Sequence, residues 1–318
     1  MIAVPPADAI DVICRRAEAA VVCGSSAQRR HLAQSDASRI ADALVAHRPG
    51  LPGLTDDGEV ERFAELLAEK STSDAHLKAL IHNGALLTSP TDPHHPDWEP
   101  YGAIVALHAQ GEIEEATWLA FLATHIGPHD AQDGDYWHAL RMVYLGLGDG
   151  TLSWARVVVD PDELLRWQER HEEQLARLRF GNHRKFESWK HFAEVLSSYV
   201  TGVLQRSDGT QRTLFASPTQ SAADNFDRLM HELQFIYRFS RLGIYDLLCL
   251  LGSLGVYQLE PGQLYLRGAS GPLEGARLLF GGNADPDELD RRGCALATKL
   301  GVSVGAMEDA LCNWQKGL

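Results

Sequence analysis

Apolar residues recur at helical spacing along most of the 318-residue chain. They do so over residues 10–22, 60–69, 104–108 and 113–125, and most strongly over 225–254. In that last stretch Phe226, Leu229, Met230, Leu233, Ile236, Tyr237, Leu247, Leu248 and Leu251 form a core stripe. Gly243 is expected to divide it into two helices, because a glycine inside a helix costs roughly 1 kcal/mol relative to alanine. Asp246 then falls in the first turn of the second helix. Gly127-Pro128 ends the run at 113–125, and Asp160-Pro161 predicts a new helix, with Asp as N-cap and Pro in the first turn, continuing to about Phe180. The β-favouring runs at 156–159, 255–258 and 264–266 are too short and isolated to define a sheet. The pattern predicts an all-α protein.

Punctuation suggests two parts. Residues 88–100, TSPTDPHHPDWEP, carry four prolines and no periodicity, which marks a linker or a long surface loop. An N-terminal helical accessory region, 1–95, is expected to precede a main helical domain, 96–318. Apolar runs such as 247–251 fall far short of the ~20 residues that a membrane span requires. Asp8 and Asp11 replace the basic start of a secretion signal, so a cytoplasmic protein with no membrane association is expected. Five scattered cysteines, an odd number, argue against a disulfide framework.

The net charge of -14 opposes a nucleic-acid partner only until its distribution is considered. Residues 1–165 hold the whole acidic excess, whereas 166–318 contain 18 acids and 18 bases. Within the second part, Arg166, Arg170, Arg177, Arg179, Arg184, Lys185 and Lys190 cluster against four glutamates. That stretch forms either a local basic face or a solvated helix with i,i+4 ion pairs.

Several chemistries are excluded by their own requirements. No phosphate-binding glycine loop of either common pattern occurs, and His231-Glu232 is followed by Phe235 where a zinc-binding helix needs its second histidine. Neither a metal nor a cofactor is expected. Three segments carry candidate chemistry. In FGNHRKFES, 180–188, Asn182 and His183 can contact a base or sugar while Arg184 and Lys185 hold phosphates; the alternative is a polar turn. In LYLRGASGPLEGARLLFGG, 264–282, Gly268, Gly271 and Gly275 lead into a helix as in the hairpin of a helix-hairpin-helix module, whose backbone N–H groups bind phosphate; the alternative is helix capping. At 307–314, Glu308 and Asp309 stand at an apparent helix start, as dipole partners or as a presented carboxylate.

Five ordered segments, WLAFLATHIGPH, FGNHRKFES, FSRLGIYDLLCLLG, GPLEGARLLFGG and MEDALCNWQK, resemble the alpha-glutamyl/putrescinyl thymine pyrophosphorylase family, clade 3, over roughly residues 100–318. That family is regarded as a branch of the helix-hairpin-helix DNA glycosylase superfamily, and similar proteins include phage-defence glycosylases that remove glucosylated hydroxymethylcytosine. The resemblance implies a helix-hairpin-helix glycosylase-like domain acting as a monomer on double-stranded DNA with modified bases. It implies cleavage of an N-glycosidic bond assisted by a carboxylate, with Asp309 ranked above Asp246. His125, Asn182, His183 and Trp314 are the expected liners of the base pocket. Arg184, Lys185, Arg238, Arg241, Gly268, Gly271, Gly275 and Arg277 are the expected DNA contacts. Glycosylases of the superfamily with lyase activity carry a lysine where this chain has Pro272, Leu273 and Glu274, which implies a monofunctional enzyme. A base-modifying transferase and a non-catalytic DNA-binding protein are the alternatives.

Overall fold

The computed structural model describes residues 26–82, 84, 86–128, 135–181, 188–217, 221–282 and 284–317. Among them the regular elements are helices and there is no strand, as the apolar periodicity predicts. The chain runs through α1 (Ser26–His47) and α2 (Asp57–His82), then α3 (Pro100–Ala109), α4 (Ile113–Ile126), α5 (His138–Tyr144) and α6 (Trp154–Val157). It continues through α7 (Glu163–Arg170), α8 (Glu172–Leu175), α9 (Phe192–Leu204), α10 (Gln211–Phe215), α11 (Ala222–Glu232) and α12 (Arg241–Ser253). It closes with α13 (Ser270–Phe280), α14 (Pro286–Leu300) and α15 (Val304–Trp314).

These helices form two compact units, one built from the chain up to residue 83 and again from 261, the other from 84–260. The division therefore differs from the linear split at residue 95, and the Pro-rich segment lies inside the second unit. Its composition reads as a linker, but a single side chain from α5 holds it. The Arg141 guanidinium donates to the carbonyls of Pro93 (2.8 Å), His95 (3.0 Å) and Trp98 (2.9 Å) and to Asp135 (2.9 Å). It also lies 4.9 Å over the ring of Trp98, which is buried.

In the first unit, Ile40 and Leu44 of α1, Phe63 and Leu67 of α2, Ala276 and Leu279 of α13 and Met307, Leu311 and Trp314 of α15 share one apolar core. Two close backbone approaches set its geometry. The Gly53 N–H donates to Leu279 O at 3.1 Å. At Gly275 an added Cβ would lie 1.9 Å from Leu311 O, so α13 packs against α15 at a distance that only glycine allows.

In the second unit, α4 is the central element, with Trp118 and Phe121 fully buried. Phe121 stacks on Tyr199 of α9 at 3.9 Å, and Trp118 Nε1 donates to Leu152 O at 2.6 Å. The acids at the start of α4 serve as caps for other helices. Glu114 accepts from the Gln211 and Arg212 N–H groups at the start of α10, and Glu115 from the Trp154 N–H at the start of α6.

Three local expectations change. The stripe at 225–254 breaks at Ile236–Ser240 and not at Gly243, because Ser240 caps α12 and its Oγ accepts from the Gly243 N–H at 3.4 Å. Asp246 consequently sits in the second turn, and Tyr237, expected in the core, is exposed. The helix predicted to run to Phe180 starts after Asp162 and breaks at His171, whose ring bonds Asp149 at 2.9 Å. Arg166 and Arg170 pair with Glu163, so this part of the basic stretch is a solvated ion-paired helix.

Candidate active site

The expected site residues that the structure describes fall into two neighbourhoods, one in each unit. In the first unit, α15 begins at Ser303, whose Oγ accepts from the Ala306 N–H at 3.0 Å. Glu308 and Asp309 therefore lie in the second turn, beyond the range of the helix-terminus field, and dipole stabilisation does not account for them. Glu308 is buried, and Asp309 is mostly covered. Burial holds the Asp309 carboxyl above its ordinary pKa; the ammonium groups of Lys70 and Lys316 and the Asn313 amide oppose that rise, and Asp74 adds to it. Asn313 Nδ2 donates to Asp309 Oδ2 at 3.2 Å. Lys70 pairs with Asp74 one turn along α2, and Ser303 Oγ donates to Asp74 at 3.4 Å. A polar cluster of two carboxylates, an ammonium, an amide and a hydroxyl thus interrupts an otherwise apolar contact between α2 and α15.

The hairpin before α13 lies in the same unit. The Ala269 N–H bonds Leu266 O at 3.0 Å across a turn that needs Gly268 at φ +81°. No acid occupies the first turn of α13, and its N-cap, Ala269, offers no side-chain acceptor, so the helix start suits an anion. Of the other two glycines, Gly275 serves packing, and Gly271 lies where a Cβ would be 3.0 Å from Cys312 Sγ. The arm leading into the hairpin is held by Asp290, a buried carboxylate accepting from the N–H groups of Leu264 (2.8 Å) and Leu266 (3.1 Å). The Cys294 thiol beside it is pushed up to about 12 by burial and by the Asp290 charge. Arg277 lies 3.7 Å from Glu274, with 37% of its side chain exposed. Trp314 is buried, its ring edge-on to Phe63 (5.2 Å) and beneath the Arg62 guanidinium (4.4 Å). It is a core residue of this unit.

In the second unit, Asp246 on α12 acts electrostatically on Tyr101 in the first turn of α3. Burial, then Glu99, then Asp246 hold the Tyr101 phenol far above its ordinary pKa. Glu99 caps α3 by accepting from the Gly102 N–H at 2.8 Å, and burial raises its own pKa. The Tyr101 ring meets Trp137 edge-on at 5.2 Å, and the Arg241 guanidinium lies 5.0 Å over Tyr245. His125 is fully buried among aromatic rings, parallel to Phe192 at 5.4 Å and edge-on to Phe180 at 5.4 Å and Phe239 at 5.8 Å. Arg238 has φ +53°, a left-handed conformation that costs a non-glycine residue about 1–2 kcal/mol. Asn182, His183, Arg184 and Lys185 lie outside the described residues.

Sequence reasoning passed over Lys70, Asp74, Glu99, Tyr101 and Asp290. Lys70 and Asp74 look like any surface i,i+4 pair, and the others gain meaning only from partners distant in the chain. Among the described residues no three His, Cys, Asp or Glu side chains converge as metal ligands do, and no helix is long and apolar enough to cross a membrane.

A family model described as alpha-glutamyl/putrescinyl thymine pyrophosphorylase clade 3 matches residues 59–317. The match begins some forty residues before the resemblance legible in the sequence and takes in Lys70 and Asp74 on α2. No curated protein and no solved structure matches the chain.

Proposed function

From the premise that this chain belongs to the alpha-glutamyl/putrescinyl thymine pyrophosphorylase family, clade 3, a family of enzymes named for action on a modified thymine, we propose that it is a DNA N-glycosylase. It extrudes a hypermodified base, in the first instance glucosylated hydroxymethylcytosine of phage DNA, and cuts the base from its sugar in antiviral defence. The observation that carries this reading is Asp309, a carboxylate kept mostly out of water in the second turn of α15 and surrounded by Lys70, Asn313 and Lys316. A desolvated carboxylate of this kind stabilises the positive charge that develops at C1′ as the glycosidic bond breaks. The bonding pair leaves with the base, which takes up a proton. Water adds to C1′ and gives its proton to the carboxylate, leaving an abasic site. Asp246 is the competing candidate, beside Tyr101 and Glu99. The start of α13, where Pro272 and Leu273 in the first turn are followed by Glu274, offers no lysine for a covalent adduct, in keeping with a monofunctional enzyme that borohydride does not trap on DNA.

The test is incubation with DNA carrying glucosylated hydroxymethylcytosine beside unmodified DNA, followed by detection of alkali-labile sites and of released base by mass spectrometry. Abasic sites confined to modified DNA are expected. The family's name favours a second reading, a transferase or pyrophosphorylase acting on thymine-derived bases. A changed base mass with the sugar bond intact would select it.

A further inference from the structure

The turn between α11 and α12 carries an aromatic ring that neither the core nor the two carboxylate neighbourhoods use. Its closing bond runs from the Phe239 N–H to Ile236 O at 3.2 Å. The outer residues, Ile236 and Phe239, are buried, and the middle pair, Tyr237 and Arg238, stands between these anchors. Tyr237 is 46% exposed. Its backbone is fixed, because the Tyr237 N–H donates to Ser198 Oγ at 2.9 Å, and Ser198 Oγ in turn donates to Val195 O at 2.8 Å. The His191 ring meets the Tyr237 ring edge-on at 6.3 Å, and the Arg238 guanidinium carbon lies 6.0 Å from the ring centre. Lys190, next to His191, is exposed.

Arg238 adopts φ +53° at the turn position where glycine or asparagine would fit with less strain. Strained backbone retained with a large side chain is characteristic of ligand-contacting turns. The strain here accompanies a half-exposed tyrosine whose backbone N–H is tied to Ser198. Base stacking uses an exposed aromatic face near cationic groups and is tolerant of base identity; here Arg238 and Lys190 supply the cations, and the neighbouring His191 ring is paired with Glu194.

We propose that Tyr237 is a base-stacking residue, its ring packing against a DNA base that has lost a stacking neighbour, the situation that extrusion of a nucleotide creates. The inference rests on the DNA-directed reading above and is independent of which carboxylate acts.

The experiment uses the full chain and a duplex with a tetrahydrofuran abasic analogue flanked by 2-aminopurine, read by fluorescence anisotropy and by 2-aminopurine emission. The wild type is expected to bind and quench. Tyr237→Ala and Tyr237→Leu are expected to lose about 5- to 100-fold in affinity, the range that stacking on one base provides, and to lose the quench. Tyr237→Trp and Tyr237→Phe stay within about threefold of the wild type, since both keep an aromatic face. The slope of log affinity against log salt stays the same in all variants, because stacking releases no counterions. Wild-type affinity and quench in Tyr237→Ala and Tyr237→Leu would overturn the inference while leaving the glycosylase reading intact. A wild type that binds no DNA would overturn both, and the released-base assay of the preceding section separates the cases independently.

Discussion

Asp309 carries a cost to folding beside the chemistry proposed for it. Burial raises its pKa in the folded state above the unfolded value, so the folded protein binds the proton more tightly. Its favourable contribution is therefore complete below the unfolded pKa and is lost as pH rises through the folded one. At neutral pH the ionised side chain destabilises the first unit. Asp309→Asn should accordingly melt at a higher temperature, by roughly 2–4 °C for each kcal/mol recovered. The same substitution should lower base release about 100-fold or more, because the charge that stabilises the transition state is gone. The acid limb of the wild-type rate profile should lie above the ordinary carboxylate range, since only the ionised form acts. Thermal melts of Asp309→Asn and Asp246→Asn beside single-turnover base release decide the assignment: full activity in Asp309→Asn with loss in Asp246→Asn moves the chemistry to α12.

Two element-level contacts hold these neighbourhoods in place, and both are open to direct test. At Gly275 a methyl group would have to occupy a position 1.9 Å from the Leu311 carbonyl oxygen. Gly275→Ala must push α13 away from α15, at a cost of at least about 2 kcal/mol by analogy with overpacked cores. A lower urea midpoint is expected, and an unchanged midpoint would mean that α13 shifts freely. In the second unit Arg141→Ala removes the donor to three backbone carbonyls at once. Arg141→Lys should rescue little, because an ammonium cannot reproduce the guanidinium fork. Both variants should expose Trp98, read as a red shift of tryptophan emission, and admit protease between residues 88 and 100. These contacts also define what the sequence reveals. Helix content, the core stripe of α11 and α12 and the Gly268 turn follow from local periodicity and turn chemistry. The linker-like prolines at 88–100 mislead, because their anchor lies some forty residues downstream. Tyr237 misleads because apolar spacing continues across a turn that Ser240 interrupts. The Asp309 segment was visible as a pair of acids, but its N-cap at Ser303 and its neighbours on α2 were not.

For the whole molecule, the return of the chain from residue 261 to pack with residues before 83 changes how the acidic N-terminal half can be probed. Ile40, Leu44, Phe63 and Leu67 belong to the same core as Leu279, Met307 and Leu311. A deletion of residues 1–95 therefore takes away about half of a folding unit, and its effect on DNA binding would reflect unfolding. Residues 84–260 alone should instead give a helical, cooperatively melting fragment, whereas 96–318 should not. The electrostatic role of the acids is better tested in place. Glu61, Glu65 and Glu69 recur every four residues along α2 and are exposed. Their triple replacement by Gln removes three charges from a chain of net charge -14 without touching the core. If that negative field limits non-specific association, affinity for unmodified DNA should rise severalfold at low salt. The gain should vanish near 1 M, where the screening length falls to about 3 Å. A gain that persists at high salt would assign the effect to a direct contact, and no gain at any salt would leave the acidic half without a part in selecting modified over unmodified DNA.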